Sequence, residues 1–350
     1  MQIHENISLK RYNSFGIDVK ARQFASFKDT DDLSSLLTPD SRLPTPDSRP
    51  PTPDSQLPTL ILGGGTNILL TKDFDGLVLK NEITGIKEIH EDNDYVFVKA
   101  GAGENWHRFV LYCIQRNWAG VENLSLIPGN VGASPIQNIG AYGVELEDVF
   151  WDLEAYHIKE KKLLTFTRND CKFGYRDSVF KKELNGQLVI LNVTFKLHKK
   201  PVFHTSYGAI VQELEKMGVK KLSIKAISDA VIRIRSSKLP DPAKMGNAGS
   251  FFKNPEISPD QFSKLQEDFP SIEGHLLLNE HVKLSAAWLI EQCGWKGFRL
   301  GDAGCHANQA LVLVNYGHAK GDEIYNLSEE ILQSVLEKFD ITLEREVNIL

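Results

Sequence analysis

Thr59-Leu-Ile-Leu-Gly-Gly-Gly-Thr-Asn67 is the stretch on which the fold of this 350-residue chain turns. The apolar run 59–62 reads as a short buried strand, and it passes straight into glycines. Successive backbone N–H groups at Gly63, Gly64 and Gly65, with no side chains in the way, form a nest for an anion, and Thr66 and Asn67 add donors. A strand followed by such a turn is a phosphate-binding arrangement, with a plain tight turn as the alternative. The spacing is not G-x-G-x-x-G and no long helix follows, so a doubly wound dinucleotide fold is a poor reading.

Working outward, the length allows two or three domains. Apolar residues at 41% and charged residues at 25% are ordinary for a soluble globular protein. A net charge of -6 argues against a nucleic-acid partner, and no apolar run approaches a membrane span. The start, Met1-Gln-Ile-His-Glu-Asn, has neither a basic flank nor an apolar core, so a cytoplasmic protein is expected. Cys113, Cys171, Cys293 and Cys305 form no C-x-x-C pair; reduced core thiols are expected, with neither disulfides nor a metal site.

Upstream of the glycine turn, Asn13-Ser-Phe-Gly-Ile17 leads to a short helical stretch near 31–37. Residues 38–58 then repeat a Thr-Pro-Asp-Ser heptad whose prolines forbid helix and central strand, so a disordered, dispensable insert is expected, with a Pro-rich recognition ligand as the alternative. Downstream, 76–80 and 94–99 are strand-like, and Trp106, Phe109, Val110 and Cys113 recur at helical spacing. His107 beside that stripe reads as a structural histidine. The loop 128–143, with its four glycines and two prolines, has no periodic apolar face, and a loop of that length is usually functional. Its backbone donors suit wrapping a cofactor.

Cys171-Lys-Phe-Gly-Tyr-Arg-Asp-Ser178 holds Arg176 in a glycine turn, where its guanidinium can meet a carboxylate in bidentate fashion or pair with Asp177. Val189, Leu191, Val193, Phe195 and Leu197 alternate as a half-buried strand. Tyr207-Gly208 precedes a short helix, and Arg235 and Lys238 precede Leu239-Pro-Asp-Pro242. In Gly246-Asn-Ala-Gly-Ser-Phe-Phe-Lys-Asn-Pro255, Gly246 and Gly249 lead into Ser250 and can present it at a cleft, with Phe251 and Phe252 placed to anchor the turn and an ordinary tight loop as the alternative. The last third reads as a helix from about Ser285 to Gly294, a strand 310–314, and a helix carrying Ile324, Leu327, Ile331, Val335 and Phe339. The final run 342–349 alternates, with Leu343, Arg345, Val347 and Ile349 on one face and Glu344, Glu346 and Asn348 on the other, where the two carboxylates read on their own as solvated, with a functional role as the alternative.

Taken in order, Asn13-Ser-Phe-Gly, Gly63-Gly-Gly-Thr-Asn, the loop 128–143, Gly174-Tyr-Arg-Asp-Ser, Lys238-Leu-Pro-Asp-Pro, the turn 246–255 and the late glutamate resemble the UDP-N-acetylenolpyruvoylglucosamine reductases, the flavoenzymes that finish UDP-N-acetylmuramate for peptidoglycan. The resemblance runs over nearly the whole chain, except 38–58. It implies an α+β fold: two FAD-binding lobes of the vanillyl-alcohol-oxidase type, 1–80 and 81–237, and a substrate-binding domain 238–350. It implies noncovalent FAD held by Gly63, Gly64, Gly65, Thr66, Asn67, Pro128, Gly129, Gly132, Ser134, Gln137, Asn138 and Gly140, with NADPH as hydride donor and a monomeric enzyme.

By the same resemblance Ser250, Arg176 and Glu346 are catalytic, and Tyr142, Tyr175, Tyr207, Lys238 and Asn254 bind substrate. Tyr207 looks like the mobile tyrosine of the longer subclass, which closes over the substrate diphosphate. One departure is that the family's last strand usually reads Glu-Pro-Glu, where this chain has Arg345. Two other classes compete: a hydrolase with Ser250 as nucleophile and His306 or His204 as base, though no G-x-S-x-G elbow exists, and a flavin-fold binding protein without catalysis.

Overall fold

In the computed structural model, residues 2–38 and 57–350 are described; most of the repeat at 38–58 lies outside the described residues. The chain divides into two units. One comprises Met1–Ile7, Ala21–Gly65 and Phe74–Ser237; the other comprises Ser8–Lys20, Thr66–Asp73 and Lys238–Leu350. One division falls inside the glycine turn, between Gly65 and Thr66.

The first unit holds two sheets. In one, the strands run in the order His4–Ser8, Lys20–Phe27, Phe74–Asn81, Thr59–Leu62, and the last three pair in parallel. Thr59–Leu62 is therefore an edge strand, and only Leu62 in it is fully buried, less than its apolar run led one to expect. The second sheet is antiparallel, in the order Lys162–Thr167, Phe150–His157, Leu188–His198, Tyr95–Gly101, Ile86–Glu91. On it lies the helix Trp106–Gln115, started by Asn105, whose side chain accepts from the Arg108 N–H at 3.0 Å. Its stripe of Trp106, Phe109, Val110 and Cys113 is buried as the periodicity required. Removing a side chain such as Phe109 from water contributes about 1.5–3 kcal/mol.

The central strand Leu188–His198 departs from simple alternation. The register steps from Glu154↔Asn192 to Ala155↔Ile190, leaving Leu191 as a bulge. Ile190, Val193, Phe195 and Leu197 then share one core while Val189 and Leu191 serve another with Phe27, Leu77 and Leu79. The strand is consequently buried on both faces rather than half-buried. A helix Ile224–Lys238 buries Ile227, Ala230, Val231 and Ile234 against Ile210 and Leu214 of the helix Gly208–Lys216.

The second unit is built on the strand Gln309–Asn315, flanked by Gly246–Asn247 and by Ala303–His306 with Arg299–Leu300. The helix Ala286–Gln292 is capped by Ser285, whose hydroxyl accepts from Trp288 N–H, and is closed by Gly294 at φ 85°. The helix Gly321–Phe339 buries Ile324, Leu327, Ile331, Val335 and Phe339, as its period predicted. The final run is strand only at Asn348–Ile349, which pairs in parallel with Ile68–Leu69. Its alternation survives without the ladder: Leu343 and Val347 are buried, Glu344 and Asn348 exposed. All four cysteines are free; burial pushes the Cys171 and Cys305 thiols up to about 12, so they are packing residues.

Candidate active site

In the first unit, the glycines after Thr59–Leu62 pack on the loop 128–143. A Cβ on Gly64 would lie 2.9 Å from Asn130 Oδ1 and 3.0 Å from Gly129 Cα, so only glycine permits that approach. Gly65 turns at φ 62° and Gly129 at φ 112°. Gly132 is excluded from carrying a side chain by Ala102, whose Cβ would be 2.5 Å away. The Trp106 N–H donates to Gly129 O at 3.0 Å, which ties the loop to a helix start. Lys80 Nζ donates to Gly63 O at 3.2 Å and sets a positive charge beside the glycines. A side-chain-free cradle edged by a cation fits a pyrophosphate, so these residues suit FAD.

The same loop also meets Arg176. Gly174 and Asp177 exchange backbone hydrogen bonds at 3.1 Å, which forces Arg176 between them to φ 53°. Its Nη2 donates to Gly140 O at 2.6 Å and its Nη1 reaches Asn138 O at 3.5 Å. Asn138 is buried at φ 42°, donating from Nδ2 to Glu145 Oε2 at 2.8 Å and to Gly174 O at 3.2 Å. Tyr142 adopts φ 52°. Three side-chain-bearing residues in the left-handed region, close in one loop system, mark the kind of backbone strain that gathers at functional sites. Asp177 pairs with Lys182. Ser134 and Ser178 are buried and bond the loop from within, through Val131 O and Ile136 O. Tyr175 stands 5.3 Å from the Arg176 guanidinium.

In the sequence Arg235 stands only as a cation ahead of the stop Leu239-Pro-Asp-Pro242. It lies on the Ile224–Lys238 helix, and its Nε donates to Leu126 O at 3.3 Å. Burial lowers its pKa, with Tyr142 acting in the opposite sense and the charge of Arg176 adding to the lowering. Two cations so placed attract an anion more strongly than either alone. His107 accepts from Leu126 N–H through Nδ1 at 3.0 Å and is held below its ordinary pKa by burial and then by Arg235, which keeps it neutral and structural.

Tyr207 is 54% exposed, at the entrance to the Gly208–Lys216 helix, and its ring meets Tyr142 edge-on at 5.4 Å. Burial raises the pKa of Tyr142, which keeps its hydroxyl protonated.

In the second unit, the turn around Ser250 is fixed from several sides. A Cβ on Gly246 would fall 2.2 Å from Phe15 O, so the Asn13-Ser-Phe-Gly segment packs on the turn's backbone. Asn247 is buried, donating to Pro240 O and Met245 O and accepting from Gly249 N–H at 2.9 Å. Gly249 takes φ 71°, and Phe251 and Phe252 are fully buried, Phe251 against Phe15. Ser250 remains half-buried.

Glu346 reaches this turn through the backbone: its N–H donates to Phe251 O at 2.9 Å, and Lys253 N–H donates to Glu344 O at 2.8 Å. Asn67 joins them, with Nδ2 donating to Glu346 O at 3.2 Å. The Asn254 Oδ1 accepts from the Ala286 N–H at 3.0 Å, which leaves both Nδ2 protons and one oxygen lone pair for other contacts. Lys238 is exposed. His306, the base considered for a hydrolase, has its Nδ1 buried without a hydrogen-bond partner.

Comparison with known proteins agrees with this layout. Residues 241–350 match the UDP-N-acetylenolpyruvoylglucosamine reductase C-terminal domain, and residues 52–157 match an FAD binding domain. The UDP-N-acetylenolpyruvoylglucosamine reductase of Amoebophilus asiaticus is 51% identical, covering all of both chains, and that of Flavobacterium johnsoniae is 47% identical with the same coverage. The crystal structure of the reductase from Thermus caldophilus superposes with a TM-score of 0.65 at 21% identity, over 100% of this chain and 99% of that one, which shows the shared α+β fold. By full-length identity the chain belongs to the UDP-N-acetylenolpyruvoylglucosamine reductase family.

Proposed function

We propose that the chain reduces the enolpyruvyl group of UDP-N-acetylglucosamine enolpyruvate to give UDP-N-acetylmuramate, with NADPH as hydride donor. The observation that carries this is the junction of Glu346 N–H and Phe251 O, which sets the late glutamate beside Ser250 in a chain similar over its full length to reductases of that name. Bound FAD supplies hydride chemistry, from nicotinamide to C3 of the substrate. Negative charge then develops at C2 and spreads into the adjacent carboxylate. Arg176 holds that carboxylate, Glu346 as the neutral acid donates its O–H to the developing charge, and the Ser250 hydroxyl delivers the proton to C2. Gly63, Gly64 and Gly65 with the loop 128–143 hold the cofactor. Residues 238–350 form the substrate domain, where Lys238 and Asn254 bind the nucleotide sugar. The enzyme is cytoplasmic and monomeric; among the described residues no helix is long and apolar enough to cross a membrane.

The experiment is direct. The purified protein is expected to be yellow and to oxidise NADPH when the enolpyruvyl sugar is added. Acid precipitation is expected to release the colour, since binding is noncovalent. Colour retained in the pellet, or a colourless protein that gains none from added FAD, contradicts this reading.

Tyr207→Phe tests the binding role of the exposed phenol. Losing one hydrogen bond to a charged diphosphate costs about 1.5–3 kcal/mol, or roughly ten- to a hundredfold in affinity. The KM for the sugar nucleotide is expected to rise accordingly while flavin reduction by NADPH is unchanged. An unaltered KM removes Tyr207 from substrate binding.

A further inference from the structure

The side chain of Arg345 is built into the protein far more thoroughly than its place beside Glu346 leads one to expect. Its Nε donates to Ser328 Oγ at 2.8 Å, and Ser328 is completely buried in the middle of the Gly321–Phe339 helix. The Ser328 hydroxyl in turn donates to Tyr325 O at 2.6 Å. Arg345 Nη2 approaches Glu329 Oε1 at 2.7 Å, off the N–H axis, so the contact is an ion pair more than a hydrogen bond. The guanidinium also lies 4.7 Å from the centre of the Tyr325 ring. Glu329 is held below its ordinary pKa by a hydrogen bond to Tyr325 and then by Arg345, so the carboxylate stays charged at neutral pH. Three side chains of one helix, buried Ser328, half-buried Tyr325 and exposed Glu329, thus hold one guanidinium.

This clamp sits at a place where the backbone alone is weak. The run 342–347 forms no continuous ladder; Arg345 makes an isolated bridge to Phe252, and single hydrogen bonds at Lys253 and Glu346 complete the junction. Adjacent residues of an extended chain point to opposite sides. Fixing Arg345 on the helix therefore fixes the direction in which Glu346 leaves the chain, and the bond from Glu346 N–H to Phe251 O refers that direction to Ser250. The helix is itself seated without slack: a Cβ on Gly321, its first residue, would fall 1.8 Å from Leu70 O.

We propose that Arg345, clamped by Ser328, Glu329 and Tyr325, is a positioning residue that sets Glu346 relative to Ser250 for the carbon-protonation half of the reaction. The proposal rests on the assignment of Glu346 as a catalytic residue. A displacement of about 1 Å in a catalytic group costs up to a hundredfold in rate, so a clamp on the neighbouring residue has kinetic leverage out of proportion to its stability.

Arg345→Met keeps the aliphatic bulk and removes the guanidinium. In the FAD-loaded enzyme, reoxidation by the enolpyruvyl sugar is expected to slow ten- to a hundredfold, with flavin reduction by NADPH and KM for the sugar unchanged. Arg345→Lys should recover part of the rate, because an ammonium can still meet Glu329. Glu329→Gln, which leaves the last strand untouched, should slow the same step in the same direction. The decisive measurement is a double-mutant cycle. If Arg345 acts through Glu346, the Arg345→Met effect is lost in a Glu346→Gln background. Additive effects overturn the proposal and leave the role of Glu346 standing, as does native reoxidation in both Arg345→Met and Glu329→Gln. A Glu346→Gln variant that reoxidises at the native rate overturns the role of Glu346 and the proposal with it.

Discussion

Ser250→Ala is expected to bind FAD and to be reduced by NADPH at close to the native rate, while its reoxidation by the enolpyruvyl sugar falls by a factor of about 10² to 10⁴, the usual cost of a missing general acid. The asymmetry follows from where the proton goes. Reduction of the cofactor needs no proton delivered to carbon, whereas the enolate left at C2 does. The structure makes the substitution clean, because the turn does not depend on the hydroxyl for its shape: Gly246 packs on Phe15, the Asn247 side chain braces Pro240, Met245 and Gly249, and Phe251 and Phe252 are buried beneath. Ser250→Cys should recover part of the loss, since a thiol with a reference pKa of about 8.5 is a stronger acid at the same position. Stopped-flow traces of the two half-reactions decide the matter. Equal slowing of both means that the turn or the flavin has moved, and native reoxidation in the alanine variant removes Ser250 from the mechanism.

The parts of the fold that were legible in the sequence are those where one period dominates. The helices Trp106–Gln115 and Gly321–Phe339 carry unbroken apolar stripes, and both are buried on those stripes. The helix Ile224–Lys238 was not read, because Val231-Ile-Arg-Ile-Arg235 alternates like a strand and its β-branched residues favour one. Arg235 gains its place only through that helix, on which it follows buried Val231 by one turn and comes under Leu126. The strand Leu188–His198 shows the reverse error. Its alternation was plain, but the bulge at Leu191 depends on its partner Phe150–His157, and no local pattern records a register step.

Ser250, Arg176 and Glu346 are singled out as candidates by the ordered resemblance of their motifs, not by residue type alone. What holds them is non-local: Glu346 N–H on Phe251 O, Asn67 on Glu346 O, and Arg345 on a helix whose serine and glutamate look like ordinary surface residues in the sequence. The departure at Arg345 was noted in the sequence as a lost proline. In the structure the rigidity a proline gives through its ring is supplied by a side chain held at several points.

Arg176 gives the second large effect. Its guanidinium has five N–H donors in a planar fork. One Nη donor is committed to Gly140 O at 2.6 Å, which sets the plane, and the turn at φ 53° sets where the side chain begins. A planar fork of this kind can take a substrate carboxylate in bidentate fashion, an interaction that strengthens as charge builds on the enolate. Arg176→Lys keeps the charge, but a lysine has neither the fork nor the reach to hold Gly140 O and the substrate together. Its kcat is therefore expected to fall by about 10² to 10³, the range for removing one oriented donor from a developing oxyanion. KM should rise far less, because the lysine ammonium still attracts the carboxylate charge that is present in the ground state. A fall in kcat that exceeds the rise in KM is the signature of an interaction made mainly in the transition state. If KM alone rises and kcat is native, Arg176 is only a binding residue. Unchanged FAD content in the lysine variant shows that the loop 128–143 is intact, so that the loss belongs to the guanidinium and not to the strained backbone that carries it.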